Sequence, residues 1–347
     1  MHSTTGPVGG TGTASALSET GGQTMKAIVR DRYGSADVLR LSDVEVPDVG
    51  DEQVLVRVRA AGLDRGAWHI MAGLPYLIRL AGYGLRKPKT AGLGSEMAGV
   101  VEAVGATVSG LHPGEAVFGT CRGSFAEYAV ARPDRLARMP ANVSFEQAAA
   151  APVSAVTALQ AVRDRGRVQA GQRVLVVGAS GGVGTFAVQI AKARGAHVTG
   201  VCSTPKVDLV RAIGADHVID YTHAEITDDN ERYEVVLDIG GNRPLSQLRR
   251  VLTRDGTLVI VGGEGGGRWI GGIDRQLRAM ALSPFVRQRL GTFITKENSA
   301  DLDAIRALIE TGAVTPVVDR VVGLHQVPDA IRDLAAGRAR GKIVLTT

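Results

Sequence analysis

Four glycines crowd the stretch Val174-Leu175-Val176-Val177-Gly178-Ala179-Ser180-Gly181-Gly182-Val183-Gly184, at positions 178, 181, 182 and 184. A short apolar run leads into them, and the helical spacing of Gly182–Arg194 leads out. Glycine takes tight turns that side chains obstruct, and it lets the backbone approach a diphosphate closely. A helix that starts directly after such a loop adds unbonded N–H groups and the positive end of its dipole. Gly178, Ser180, Gly181, Gly182, Val183 and Gly184 are therefore candidates to cradle the diphosphate of a dinucleotide. The strict G-x-G-x-x-G spacing is not met, and a plain glycine turn is the competing reading.

Where a second strand would end, the chain reads Gly200-Val201-Cys202-Ser203-Thr204-Pro205-Lys206. A cofactor with a free ribose 2′-hydroxyl calls for Asp or Glu about 20 residues beyond the glycine loop. No acid stands there, and Asp208 falls later, inside the next helix. Ser203 and Thr204 supply hydroxyls and Lys206 a positive charge, the donor set that a 2′-phosphate needs. A lysine in a first helical turn opposes the helix dipole, so a ligand role accounts for it better than helix stability does. NADPH is the expected cofactor. A capping Ser203 and a solvated Lys206 are the alternative.

The third group is Asp64-Arg65-Gly66-Ala67-Trp68-His69, with Tyr76 and Tyr83 beyond it. A histidine has a pKa suited to proton transfer, although a lone histidine is more often structural or exposed. The segment Leu74–Leu93 mixes Leu, Ile and Tyr with Arg79, Arg86 and Lys87. It is expected to wall a substrate pocket. The two cysteines, Cys121 and Cys202, support neither a disulfide framework nor a structural zinc site of four ligands.

These groups need elements to hold them. From residue 25 to about 140 the pattern is β-rich: Val54–Arg59 alternates, Ala98–Gly105 is an apolar run closed by glycine, and Pro47-Asp48, His112-Pro113-Gly114 and Pro133-Asp134 mark turns. Short strands with frequent turns predict a small barrel-like β domain. At Ser144 a capping box with Gln147 opens an Ala-rich helix to about Arg163. Strand and helix then alternate through Thr257–Val261, which predicts a doubly wound parallel sheet. Helices near Ala300–Thr311 and Val327–Ala336 and strands near Val317–Val322 and Lys342–Thr346 form a tail expected to return to the first domain. The Gly/Thr/Ser-rich residues 1–24 read as a flexible tail without the features of a secretory signal.

The chain has 347 residues, enough for two domains. No apolar run approaches the roughly 20 residues that cross a bilayer, and a cytoplasmic location is expected. The net charge of +5 is spread along the sequence, and aromatics are 4%. No RNA-binding motif or stacking series accompanies the basic balance, which argues against a nucleic-acid partner.

Taken together, several stretches resemble the medium-chain dehydrogenase/reductase superfamily, in its zinc-free, quinone-oxidoreductase-like branch. They are Leu93–Val101, Gly178–Gly184, Leu209–Asp216, Val218–Tyr221 and Gly341–Leu345. The resemblance implies a Rossmann doubly wound sheet plus a GroES-like β-barrel domain, with the cofactor in the cleft between them. It divides the chain into a tail (1–24), a GroES-like domain (25–149), a Rossmann domain (150–286) and a returning segment (287–347). It places Thr157 near the nicotinamide, Ser203, Lys206 and Tyr221 at the 2′-phosphate, with Arg338 or Arg340 as further candidates, and Val261-Gly262-Gly263 along the carboxamide. It also implies a homodimer or homotetramer.

Zinc members of the superfamily carry cysteine within the segment Ala61–Asp64 and histidine where Ser95 precedes Glu96. This chain has neither, nor their cysteine-rich lobe, so zinc-independent chemistry is expected. Relatives usually have Asn where Asp64 stands. Asp64 and His69 are the catalytic candidates, and Trp68, Tyr76 and Tyr83 the substrate-pocket candidates. The implied activity is hydride transfer from NADPH to a small electrophile, a quinone or an α,β-unsaturated carbonyl. A zinc-free reductase of acyl thioesters or aldehydes is the first alternative. A non-catalytic nucleotide-sensing or nucleic-acid-binding protein on the same fold is the second.

Overall fold

The computed structural model describes residues 22–228, 230–263 and 267–347. The tail reading for 1–24 therefore falls almost wholly outside the described residues. The first half supplies β1 (Thr24–Val29), β2 (Arg40–Glu45), β3 (Val54–Leu63), α1 (Arg65–Ala72), β4 (Glu96–Val104), β5 (Ala116–Thr120), β6 (Tyr128–Ala131) and β7 (Leu136–Arg138). Next come α2 (Phe145–Ala149), α3 (Pro152–Gln160), β8 (Arg173–Val177), α4 (Gly182–Ala193), β9 (His197–Cys202), α5 (Val207–Ala212), β10 (His217–Asp220), β11 (Tyr233–Asp238), α6 (Leu245–Arg250), β12 (Leu252–Ile260), α7 (Ile273–Leu282) and β13 (Arg289–Thr292). The chain closes with α8 (Ser299–Glu310), β14 (Val318–Gly323), α9 (Val327–Ala335) and β15 (Lys342–Thr346).

Two main sheets result. One is parallel throughout, in the order β10-β9-β8-β11-β12-β13. Its central strand β8 is buried along Val174–Val177, as a strand covered on both faces must be. Successive strands leave β8 in opposite directions, β9 to one side and β11 to the other. That puts a crevice at the carboxyl ends of β8 and β11, the usual ligand site of a doubly wound sheet. The other sheet runs β14-β15-β3-β4-β5-β7, with β6 also paired to β3. Strand β15 pairs antiparallel with β3, so the last strand of the chain returns to the first domain.

Three boundaries differ from the sequence reading. The Ser144 capping box is present, but the helix does not run unbroken to Arg163. It stops at Ala149, and α3 restarts with Pro152 at its first position, because proline has no N–H to continue a helix and its ring clashes with the preceding turn. The returning segment also starts later than residue 287, since β13 hydrogen-bonds β12 in the parallel sheet. Strand β12 begins at Leu252, five residues ahead of the Thr257 expected, as a solvent-touching extension that pairs only with Tyr233 before the register shifts.

Candidate active site

The glycine loop links β8 to α4 at that crevice. Gly178 has φ of +84°, and a Cβ there would sit 2.9 Å from the Gly240 amide nitrogen. A Cβ on Gly184 would lie 2.0 Å from the Gly178 carbonyl oxygen, so this glycine seats the helix against the loop. A Cβ on Gly181 would meet only the Gly178 carbonyl oxygen, at 3.5 Å. Gly181 is the N-cap of α4 and offers no side-chain cap. The first amide to bond back is that of Thr185, to the Gly181 carbonyl. The amides of Gly182, Val183 and Gly184 make no hydrogen bond among the described residues. Unbonded donors beside an open backbone fit a diphosphate. Ser180 is buried, and its carbonyl accepts from the Gly341 amide at 2.9 Å, tying the lead into β15 to the loop.

Ser203 and Lys206 follow β9, and Tyr221 follows the neighbouring β10. Lys206 donates from Nζ to the carbonyls of Gly337 and Ala339, at 2.8 and 2.7 Å. Burial pulls its pKa below the ordinary lysine value, Asp319 opposes that, and the nearby Arg340 charge reinforces it. Arg338 is held by Asp333, so Arg340 is the arginine left facing the lysine. The Tyr221 ring is half exposed, and its amide bonds the Cys202 carbonyl at 3.0 Å. Asp220 accepts from the Thr222 amide and hydroxyl, which keeps its carboxylate engaged locally.

On the other side of the crevice, Asp64 caps α1. Its Oδ1 accepts from the Ala67 amide at 2.8 Å, and its Oδ2 accepts from the Ser95 hydroxyl at 2.7 Å. Asp64 and Ser95 are thus joined by a hydrogen bond between the end of β3 and the start of β4. Among the described residues, no three His, Cys, Asp or Glu side chains gather as a set able to hold a metal ion. Thr157, on α3, donates to the Val153 carbonyl at 2.7 Å and shares a 2.9 Å contact with the Thr295 hydroxyl. After β12, the Val261 and Gly262 amides both bond the Asp238 carbonyl. A Cβ on Gly262 would stand 2.1 Å from the Ile239 carbonyl oxygen. The Gly263 carbonyl accepts from Gly272.

A cavity of about 720 Å³ opens beside Ser95, with Ala67, Tyr83, Leu93, Thr120 and Cys121 among its walls. Burial pushes the Cys121 thiol up to about 12, which keeps it protonated. Of the aromatic pocket candidates only Tyr83 lines this cavity. Trp68 packs into the core of the first domain, and Tyr76 meets the edge of Trp269 with ring centres 5.2 Å apart. His69 is likewise outside the cavity. Its Nδ1 lies 2.8 Å from the Leu74 carbonyl oxygen, where it fastens the end of α1. The Leu74–Leu93 segment does form a wall, through residues 81–83, 89–90 and 92–93. It is pinned by the Tyr33 hydroxyl, close to the carbonyls of Tyr83 and Gly84, and by Arg79, which donates to Gly73.

The sequence reading missed a buried ion pair. Glu96, fully buried on β4, faces Lys342 on β15, itself 2% exposed. The second Glu96 oxygen accepts from the Val153 amide in the first turn of α3 at 2.9 Å. The Lys342 stem covers the glycine loop, so that a Cβ on Gly182 would fall 2.8 Å from its Cδ. Burial raises the Glu96 carboxyl to about 7, against the pull of Lys342 and with help from the Asp64 charge. Both residues stand inside the quoted motifs Leu93–Val101 and Gly341–Leu345, but nothing in one dimension pairs them.

A β domain closed by the C-terminal strand, joined to a doubly wound sheet with a glycine loop at its switch point, defines a two-domain oxidoreductase of the nucleotide-binding kind. Residues 50–141 match the family described as alcohol dehydrogenase GroES-like domain, and residues 213–345 the one described as zinc-binding dehydrogenase. A quinone oxidoreductase of Sus scrofa is 33% identical, covering 94% of this chain and 99% of its own. An NADPH-dependent alkenal/one oxidoreductase, chloroplastic, of Arabidopsis thaliana is 32% identical, covering 92% and 79%. The solved quinone oxidoreductase from Coxiella burnetii superposes with a TM-score of 0.83 at 26% identity, over 94% of this chain and 100% of that one. The chain belongs to the medium-chain dehydrogenase/reductase superfamily.

Proposed function

We propose that the chain is an NADPH-dependent reductase of quinones and α,β-unsaturated carbonyl compounds that works without zinc. The observation that carries this reading is the crevice itself. Unbonded amides at Gly182–Gly184 and the cationic end formed by Lys206 and Arg340 suit a 2′-phosphorylated dinucleotide, and the acceptor cavity lies beside Ser95. The relatives named above act on quinones or alkenals and alkenones, which supports the same substrate class.

Bound there, NADPH supplies a hydride from its nicotinamide. The rest falls to this chain. Gly182–Gly184 orient the diphosphate through their N–H groups. Lys206, with Ser203 and Tyr221 nearby, holds the 2′-phosphate. Thr157, fixed by Thr295, and Val261–Gly263 border the nicotinamide. Asp64 and Ser95 hold each other and position the start of α1 against the cavity, so neither is assigned proton transfer. Conjugation already makes the acceptor electrophilic, so holding the partners in contact is the main contribution to rate. Solvent reaching the open cavity delivers the proton.

Among the described residues no helix is long and apolar enough to cross a membrane, and we place the protein in the cytoplasm. The exposed Leu277, Met280 and Phe285, near the free edge of β13, support self-association into a dimer or tetramer.

The deciding experiment is NADPH consumption across quinones, alkenones, alkenals and saturated aldehydes, with metal content measured on the same sample. Turnover of the conjugated acceptors by zinc-free protein is expected. Activity that tracks stoichiometric zinc would defeat the metal-free mechanism. Failure to bind any pyridine nucleotide would defeat the whole reading.

A further inference from the structure

The acceptor cavity has an electrostatic character that a neutral quinone does not need. Five cations line it, Arg30, Lys89, Arg122, Arg132 and Arg135, against the single carboxylate of Glu297. Arg135 is taken by Glu297, and Arg132 by Asp134 at 2.9 Å. The other three have no carboxylate partner among the described residues. Lys89 and Arg122 are exposed at the cavity. Arg30 is 2% exposed, with its two terminal nitrogens 3.2 Å from the carbonyls of Gly92 and Ile70. Its Nε is buried without any partner.

A buried guanidinium compensated only by carbonyl dipoles is costly unless a counter-charge approaches. The adjacent Asp31 is exposed and paired with Arg40 at 3.1 Å, and residues 65–95 contain no Asp or Glu at all. The cavity therefore holds a positive potential beside the proposed reduction site, and a cleft lined by one sign of charge concentrates ligands of the opposite sign.

We propose that the physiological acceptor of this reductase carries an anionic group, a carboxylate or a phosphate, away from its conjugated carbonyl, and that Lys89 and Arg122 bind that group with the Arg30 charge behind them. The inference rests on the reductase reading and narrows its substrate class. It also covers acyl carriers that bear phosphate.

The test compares three vinyl ketones of equal reactivity with the zinc-free protein and NADPH: 7-oxonon-8-enoate, its neutral methyl ester, and a phosphate monoester on a chain of the same length. Both anionic compounds should exceed the ester in kcat/KM, and the advantage should shrink as salt rises. A larger advantage for one of them identifies the source of the charge. In Arg122→Ala and in Lys89→Ala, the ratio of kcat/KM for acid to that for ester should fall about fivefold each, the size of one ion pair near a surface. Both residues are exposed, so thermal stability should hold and the ratio remains readable. Equal kcat/KM for acid and ester in the parent protein, or a ratio untouched by both substitutions, would overturn the proposal. Absence of turnover with all three and with simple quinones would count against the reductase reading instead.

Discussion

Gly181 and Gly184 stand three residues apart and do different work. A methyl group on Gly184 would collide with backbone, and no side-chain movement relieves that. A methyl group on Gly181 has room, and the residue's φ of −84° and ψ of 173° are ordinary for alanine. Gly181→Ala should therefore fold normally, yet place a methyl group where the diphosphate passes. We expect an unchanged melting temperature and NADPH affinity weakened about tenfold, a loss of about 1.4 kcal/mol, read by fluorescence titration. Unchanged affinity would move the diphosphate elsewhere. In the proposed site, Lys206 is the residue expected to separate the two nicotinamide cofactors. Its ammonium already has two carbonyl partners, so its charge is what a 2′-phosphate adds to the account. Lys206→Ala should weaken NADPH about tenfold and leave NADH binding where it was. Parallel loss of both would make Lys206 a strut for the 337–339 turn.

At the scale of elements, the strands and helices that carry the dinucleotide loop were legible because each has its own period and punctuation. The apolar β8, the glycine turn and α4 follow one another without help from distant residues. The Leu74–Leu93 segment is different. Its length and mixed composition suggested a pocket wall, and parts of it do line the cavity beside Ser95, but which side chains face that cavity was not legible. Trp68 and Tyr76 were expected there, and the packing of α1 and the contact with Trp269 turned them elsewhere. Replacing residues 77–87 by a short Gly/Ser linker should raise KM for acceptors several-fold while NADPH binding persists, measured by steady-state kinetics beside a cofactor titration. Loss of cofactor binding would show that the segment also supports the crevice.

For the whole molecule, the Glu96–Lys342 pair joins β4, β15, the first turn of α3 and the glycine loop. Removing one partner of a buried pair leaves the other without its counter-charge, so Lys342→Met should destabilise in urea unfolding, by about 3–5 kcal/mol well above pH 7, where Glu96 is ionised, and by less at lower pH, where it is neutral. The double variant with Glu96→Gln should recover part of it. The pair also sets a pH slope. The folded chain keeps a proton on Glu96 up to about 7, whereas the unfolded chain loses it near the ordinary 4.5. Between these values the folded state binds more protons, so stability from this group is fullest below about 4.5 and falls as pH rises towards about 7. Glu96→Gln should flatten the slope in that window. A slope that survives the substitution would assign it to other groups.

The sequence alone determined what is local. The alternation of strands and helices gave away the doubly wound sheet, the glycine cluster between strand and helix marked the candidate diphosphate loop, and the missing acid after β9 pointed to a phosphorylated ribose. Those features depend on neighbours within a few turns of chain, whose geometry covalent sterics and hydrogen bonding already constrain. Only the tertiary structure decided the rest. Ser95 closes onto Asp64, Lys342 reaches Glu96 across 246 positions, His69 bonds Leu74 outside the cavity, and Arg340 faces Lys206. The Ser95–Asp64 and Glu96–Lys342 contacts depend on how β3, β4 and β15 assemble in one sheet, the Lys206–Arg340 approach on how that sheet meets the parallel one, and the His69 contact on how the chain turns after α1; residue order alone does not encode these distances.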